Sequence, residues 1–168
     1  MKKSALYTAI MLFFCSLQLK AQYSFTGSLT ASVSIQPVMA FSLTANASTA
    51  ITLSNSAYSN GYTIPNFNTV MIKSNMPWSL SVSAATPYFS ASGSYASSNM
   101  PASVIGLTKS GQSPSVQLTA TPQLLASGGR GNTSQTGNTF NMDFSAAPGY
   151  NYGPGIYSLT ISYTLTAQ

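Results

Sequence analysis

The chain has 168 residues, of which six are lysine or arginine, one is acidic and none is histidine. These counts exclude several common catalytic and metal sites. A Ser-His-Asp triad needs a histidine, glycoside hydrolysis needs two carboxylates, and a zinc site needs histidine, cysteine or several acids. We therefore expect a non-enzymatic protein that uses no metal and no other cofactor.

The first residues predict a secretory signal. Lys2 and Lys3 give a positive start, residues 5–19 are mostly apolar, and Ala21 offers a small residue before cleavage. The apolar run is shorter than the roughly 20 residues that a membrane span needs. We expect residues 1–21 to be a signal peptide and residues 22–168 to form one exported domain without a transmembrane span.

Removing the signal lowers the formal net charge from +5 to +2, because Lys73, Lys109 and Arg130 then face only Asp143 (three minus one). Such sparse charge cannot follow a phosphate backbone, so we expect no nucleic-acid partner. The single cysteine, Cys15, falls within the signal. The mature domain therefore has neither disulfides nor thiolate ligands, and it must be held together by a packed core.

Apolar residues recur at every second position in three segments, residues 29–36, 78–83 and 157–166. This period is typical of strands with one buried and one wet face. In the last segment the predicted inner face consists of Tyr157, Leu159, Ile161, Tyr163 and Leu165. Shorter strand candidates are residues 38–44, 50–53, 70–73, 104–107, 116–121 and 140–144.

Turn signals separate these candidates at residues 59–61, 74–77, 127–129 and 153–155. Residues 75–77 lie between two strand candidates and predict a hairpin. Residues 84–103 and 127–138 predict long irregular loops. About eight short strands of this kind favour an all-β fold, an antiparallel β-sandwich of immunoglobulin-like or Greek-key type, with a closed barrel as the alternative.

The aromatic residues divide into two groups. Trp78 alternates with Leu80 and Val82, which favours a core position over a stacking platform for a sugar ring. Other tyrosines lie in turn-rich sequence, where they predict a candidate contact surface for a glycan or a protein. The candidate contact residues are Tyr88, Tyr95, Tyr150 and Tyr152.

Two unusual chemistries remain open from the sequence. Lys73 or Lys109 could serve as the base of a Ser–Lys dyad, which requires burial to lower the lysine pKa. A lysine could also form a crosslink to an asparagine beside Asp143. The simpler interpretation, scattered surface charges, covers all of these residues and is the one we favour.

The strand of Trp78 carries a literal Trp-x-Leu motif, Trp78-Ser79-Leu80. Near the other end, Gly155-Ile156-Tyr157 leads into Tyr163-Thr164-Leu165-Thr166. Together these segments resemble the two halves of a WxL domain, with Tyr163 where that family has its second tryptophan. The motif positions are Trp78, Leu80, Tyr157, Tyr163 and Leu165.

The resemblance implies an exported, β-rich domain that attaches to cell-wall peptidoglycan without a covalent bond. The closing strand is also similar to the final strand of pilin and spore-coat-type sandwiches. We expect a structural or adhesive subunit at the bacterial cell envelope, cell surface or outside the cell, whose partners are envelope proteins, surface proteins or copies of itself. The alternative is a module of WxL type whose partner is a cell-wall glycan.

Overall fold

A computed structural model describes residues 31–168. The predicted signal peptide lies outside the described residues, and so do the first two positions of the strand predicted at residues 29–36. Residues 31–38 form neither helix nor strand, so the described part of that prediction is wrong. Every helix and strand named below belongs to the unit Gln36–Gln168.

Strands dominate the described part of the chain. The helical elements are short: α1 (Asn55–Asn60) and a 3-10 helix (Ala102–Val104). Among the described residues, no helix has the length and apolar character that a membrane crossing requires. The strands are β1 (Met39–Ala45), β2 (Tyr62–Ser74), β3 (Trp78–Ala84), β4 (Ser90–Ser92), β5 (Ile105–Lys109), β6 (Val116–Gln117), β7 (Gln123–Gly128), β8 (Thr139–Ala146), β9 (Ile156–Ser158) and β10 (Ile161–Ala167).

The strands form three antiparallel sheets, which confirms the all-β class. The largest has the order β1-β2-β8-β5-β6, the second has the order β10-β3-β7, and β4 pairs with β9 in the third. Against β8, the register of β2 shifts between Ile64 and Asn68, and Asn66 within this bulge has a φ of 52°. A bulge inserts an unpaired residue and bends its strand.

The hairpin predicted at residues 75–77 is wrong. β2 and β3 are consecutive, but β2 is already paired on both sides, with β1 and β8, so β3 joins the other large sheet. The connection is tightened by Ser74, whose hydroxyl accepts from the Met76 N–H at 3.1 Å and donates to the Met76 carbonyl at 2.7 Å. Turn residues alone therefore do not distinguish a hairpin from a crossing between sheets.

The final segment, residues 157–166, is also not the single continuous strand that its alternation predicts. It breaks at Leu159 and Thr160, so that β9 pairs with β4 while β10 pairs with β3. The Ala85 N–H donates to the Thr160 carbonyl at 2.9 Å, which extends the β3–β10 register by one residue, so the change of partner falls at Leu159. Tyr157 and Tyr163 therefore lie in different sheets.

Other differences concern short or irregular segments. Residues 50–53 form no strand, and residues 116–121 contribute only the two-residue β6. The predicted loop at residues 127–138 begins too early, because β7 extends to Gly128. Gly128 pairs with Trp78, and a Cβ at Gly128 would overlap the Trp78 indole. The glycine that suggested a turn is there because an indole packs on it.

The core is built from the inner faces of both larger sheets. In β3, Trp78, Leu80 and Val82 are completely buried, which confirms the predicted core position of the tryptophan. The Trp78 Nε1 donates to the Oδ1 of buried Asn138 at 3.0 Å. Its ring lies nearly parallel to that of Phe140, at 6.5 Å between centroids. From the larger sheet and β7, buried members include Val70, Ile72, Leu107, Leu125, Phe140, Met142 and Phe144.

Candidate interaction surface

The strand β10 is an edge of its sheet, since within the described residues it pairs only with β3. Its side chains alternate: Ile161, Tyr163 and Leu165 are half-buried, whereas Ser162 and Thr164 are exposed. Edge strands are commonly protected by charges, prolines or bulges, which prevent pairing with other chains. β10 contains no charged residue and no proline, and its register with β3 is regular throughout.

The strand β1 is an edge of the larger sheet, and its inner-face side chains remain partly exposed. Phe41 is 37% exposed and Leu43 is 39% exposed. The ring of Phe41 stacks on the ring of Tyr163, with 6.1 Å between centroids and 29° between planes. The two edges thus share one apolar surface. We call Phe41 and Leu43 of β1, with Ile161, Tyr163 and Leu165 of β10, the edge seam.

Tyr163 is fixed at the centre of the edge seam. Burial raises its pKa to about 12, and a side-chain hydrogen bond with Asn68 acts in the opposite direction. Asn68 belongs to β2 and is itself buried. Tyr163 therefore contacts Phe41 with its ring and Asn68 with its hydroxyl group, so this one side chain from the smaller sheet reaches two strands of the larger one.

The predicted contact tyrosines are largely exposed, but they contact different neighbours. Tyr95 is 78% exposed, Tyr150 is 75% exposed and Tyr88 is 52% exposed, whereas Tyr152 is half-buried. The ring of Tyr150 stacks on Tyr58, with 5.6 Å between centroids. Stacked, exposed rings of this kind can pack against a flat apolar face of a ligand.

Tyr157, one of the motif positions, fastens two loops. Its hydroxyl group donates to the Gly153 carbonyl at 2.5 Å and accepts from the Ser97 N–H at 2.9 Å. The Gly153 N–H in turn donates to the Ser97 hydroxyl group at 2.9 Å. The ring of Tyr157 packs edge-on against the ring of Phe89. The Tyr157 hydroxyl group thus acts as both donor and acceptor within the fold, and these two hydrogen bonds hold the loop that carries exposed Tyr95.

Asp143 lies in a polar network that sequence patterns did not reveal. Its carboxylate accepts from the Asn66 N–H at 2.8 Å and from the Ser110 hydroxyl group at 2.5 Å. Asn141 donates to the Asn66 side-chain oxygen at 2.9 Å, and Asn46 donates to the Asn66 carbonyl at 3.1 Å. These bonds hold Asn66 in a left-handed conformation that asparagine tolerates better than most residues. The carboxylate therefore stabilises the β2 bulge.

The lysines do not join this network. Lys109 pairs with Met142, the residue before Asp143, and successive strand residues point to opposite faces. Its ammonium group lies 4.8 Å from the centroid of the Phe140 ring on the inner side. Lys73 is exposed on β2. The structure thus does not bring Asp143 together with the Lys109 ammonium group, as the crosslink would require.

Lys109 also borders a shallow cleft of about 270 Å³. The other lining residues are Gln112, Leu124, Leu125, Ala126 and Ser127. Lys109 is the only titratable residue among them. The cleft supplies no pair of groups for acid–base chemistry.

No known protein-family model matches this chain, and a search of curated proteins likewise gave no match. The resemblance to WxL domains therefore depends on the short motifs alone. The structure places Trp78 and Leu80 on β3, Tyr163 and Leu165 on β10, and Tyr157 on β9. In the β3–β10 ladder, Leu80 lies opposite Leu165.

Proposed function

We propose that this chain is an exported, non-enzymatic protein of a bacterial cell envelope, where it acts as a structural or adhesive surface subunit. The observation that carries the proposal is the edge seam. Two long strands present unprotected edges within the described residues, and a half-exposed apolar surface lies between them. Unpaired backbone groups beside exposed apolar side chains favour association with another strand.

The lack of charge supports association with neutral partners. Neither β1 nor β10 contains a charged residue. A nucleic acid or a strongly acidic protein would have no ionic contact to make there. A protein surface of the same apolar and hydroxyl-rich character is the better fit.

We further propose that the two larger sheets pack as an antiparallel β-sandwich of immunoglobulin-like or Greek-key type. The support comes from their common core, in which β3 and β7 meet β2, β5 and β8. A sandwich has open edges at both sides of each sheet, unlike a closed barrel. This architecture would explain why, within the described residues, β1 and β10 are edge strands that lie next to each other.

A second candidate function is a peptidoglycan- or glycan-binding module of WxL type. The observation that favours it is the high exposure of Tyr95 and Tyr150 in adjoining loop regions. Trp78 is completely buried, so it cannot stack on a sugar directly. In this candidate the exposed loop tyrosines would make the aromatic contact with the glycan.

Cell fractionation tests the proposed location and sedimentation separates the two functions. We expect the chain in the envelope or at the cell surface of its bacterial host, and recovery in the cytoplasm would contradict the proposal. The purified protein is then sedimented with and without peptidoglycan sacculi at two salt concentrations. Pelleting without sacculi supports the structural subunit. Pelleting that requires sacculi, and is lost in a Tyr95→Ala/Tyr150→Ala variant but kept in Tyr88→Ala, supports the glycan module.

A further inference from the structure

The β3–β10 ladder shows what kind of strand β10 accepts as a partner. Both strands have seven residues and alternate apolar with hydroxyl side chains. On the inner face Leu165 lies opposite Leu80, and on the outer face Thr166 lies opposite Ser79 with 2.7 Å between their hydroxyl oxygens. A partner for the other edge of β10 needs the same alternation, so that apolar side chains meet on one face and hydroxyl groups on the other.

The sequence of β10 itself meets this requirement. In an antiparallel pair of two β10 strands centred on Thr164, each Tyr163 would face the other copy's Leu165. Ser162 would face the other copy's Thr166 in the same way. Side chains directly opposite each other in an antiparallel pair share a face. The apolar and hydroxyl faces therefore match without a change of register, and no like charges meet.

The other edge of the same sheet is less suited to this pairing. The register of β7 with β3 shifts between Leu80 and Ser81, so Leu125 is an additional residue in β7. Such a bulge twists an edge away from an incoming strand. The far edge of the larger sheet, β6, has only two residues. By contrast, β10 is seven residues long and regular, with β1 and its partly exposed Phe41 beside it.

We propose that the edge of β10 that is unpaired within the described residues pairs antiparallel with β10 of a second copy of this chain, which gives a symmetric dimer with a continuous β7-β3-β10 sheet across both copies. The proposal rests on the proposed structural function and names its partner. A two-fold axis at the strand centre uses the same surface on both copies, which is the commonest symmetry of protein dimers. The second copy would cover the edge seam and remove Tyr163 and Phe41 from water.

A charge placed at the strand centre tests this arrangement. Thr164 is exposed, and Thr164→Lys would place two like charges at the two-fold axis. Ser127→Lys is the matched control, because Ser127 is exposed on the β7 edge of the same sheet and also pairs with a β3 serine. In sedimentation velocity we expect wild-type and S127K dimers, and loss of the dimer in T164K. A dimer that persists in T164K would overturn the proposal. Equal urea-unfolding midpoints would show that both variants fold.

Single cysteines locate the two-fold axis. In the full chain carrying Cys15→Ser, Ser162→Cys, Thr164→Cys and Thr166→Cys are each oxidised as purified proteins. Antiparallel pairing predicts a disulfide-linked dimer that is most abundant at the position on the axis and decreases to either side. Equal yields at the three positions, or a yield no higher than that of Ser127→Cys, would contradict β10–β10 pairing.

The results separate this proposal from the proposed function. A protein that is found in the envelope but stays monomeric at every concentration overturns the β10 dimer and leaves the envelope role intact. A dimer that S127K breaks and T164K does not would assign association to β7, and it would likewise overturn only the β10 pairing. A dimeric protein recovered from the cytoplasm would instead overturn the proposed function.

Discussion

The strands β3 and β10 have nearly the same pattern and lie side by side, yet their inner faces are buried to very different extents. In β3 the side chains of Trp78, Leu80 and Val82 have no exposure. In β10 the opposing Leu165 and Tyr163 are only half-buried. β3 is the central strand of its sheet and β10 is an edge. Alternation thus predicts which face is apolar, while the position in the sheet determines how much of it is buried.

We therefore expect the two regions to contribute to different properties, the interior around Trp78 to the stability of the fold and the edge seam to contacts with a partner. The interior around Trp78 is closed: the indole N–H is bonded to Asn138, and the ring lies against Phe140 and Gly128. The edge seam keeps part of its apolar surface in contact with water. Apolar surface that is not buried contributes little to folding, but it can stabilise a complex. Substitutions in the two regions should therefore affect different measurements.

The largest expected effect is in the closed interior. Trp78→Ala should lower the free energy of unfolding by about 3–5 kcal/mol, because it removes a fully buried ring and leaves a cavity. Urea unfolding followed by circular dichroism measures this change. Tyr95→Ala removes an aromatic ring that is 78% exposed and serves as the control, which should unfold near the wild-type midpoint. A Trp78→Ala protein as stable as wild type would contradict the closed-core description.

A matched leucine pair tests the comparison directly. Leu80 and Leu165 are cross-strand partners, but Leu80 is completely buried and Leu165 is half-buried. Leu80→Ala should cost about 2–5 kcal/mol, and Leu165→Ala about 1 kcal/mol, since less apolar area leaves water at the edge. Chemical denaturation of the two single variants measures the difference. Equal losses in the free energy of unfolding would show that the edge strand is buried as well as the central strand.

The buried polar contact should have a smaller effect. Asn138→Ala removes the acceptor of the Trp78 N–H and two donations, to the Gly131 and Asn132 carbonyls. Leaving buried polar groups without partners should reduce the free energy of unfolding by about 1–3 kcal/mol. The double variant Asn138→Ala/Trp78→Phe should lose less than the sum of its single variants, because phenylalanine has no N–H to satisfy. Strict additivity would indicate that the bond contributes nothing.

The smallest effect concerns Tyr163 and depends on pH. Its folded-state pKa is raised to about 12 from an ordinary value of 10.0, so the folded chain retains the proton that the unfolded chain loses. The stability that depends on the protonated hydroxyl group is complete below pH 10 and is lost as the pH rises towards 12. Tyr163→Phe should remove this part of the pH dependence. Unfolding midpoints measured between pH 9 and pH 12 test it, and identical slopes in both proteins would contradict it.

Sequence patterns predicted the strands of the core well and the connections poorly. The alternation of Trp78 to Val82 located β3, and the apolar run at residues 140–144 located much of β8. The hairpin prediction failed because turn residues do not show that β2 has partners on both sides. The prediction of one continuous last strand failed because the alternation runs through Leu159 although the pairing partner changes there from β4 to β3.

The candidate surface was predicted only in part. The exposure of Tyr95 and Tyr150 could be predicted because both lie in turn-rich sequence, which does not form a buried strand. The edge seam could not be predicted in this way, because it depends on contact between β1 and β10, which are more than 100 positions apart in the chain. The hydrogen bonds that hold Asn66 were missed for the same reason, because the partners Asn46, Ser110 and Asp143 come from distant segments of the chain.

The sequence by itself determined the all-β class, the apolar faces of β3 and β10 and the scarcity of groups for acid–base or metal chemistry. These properties are local or compositional, because side-chain period and residue type are independent of strand order. Only the tertiary structure decided that β3 is central and β10 is an edge, and that Phe41 meets Tyr163. Those outcomes depend on which strands pair, and pairing is set by the combined burial of segments that lie far apart in the chain.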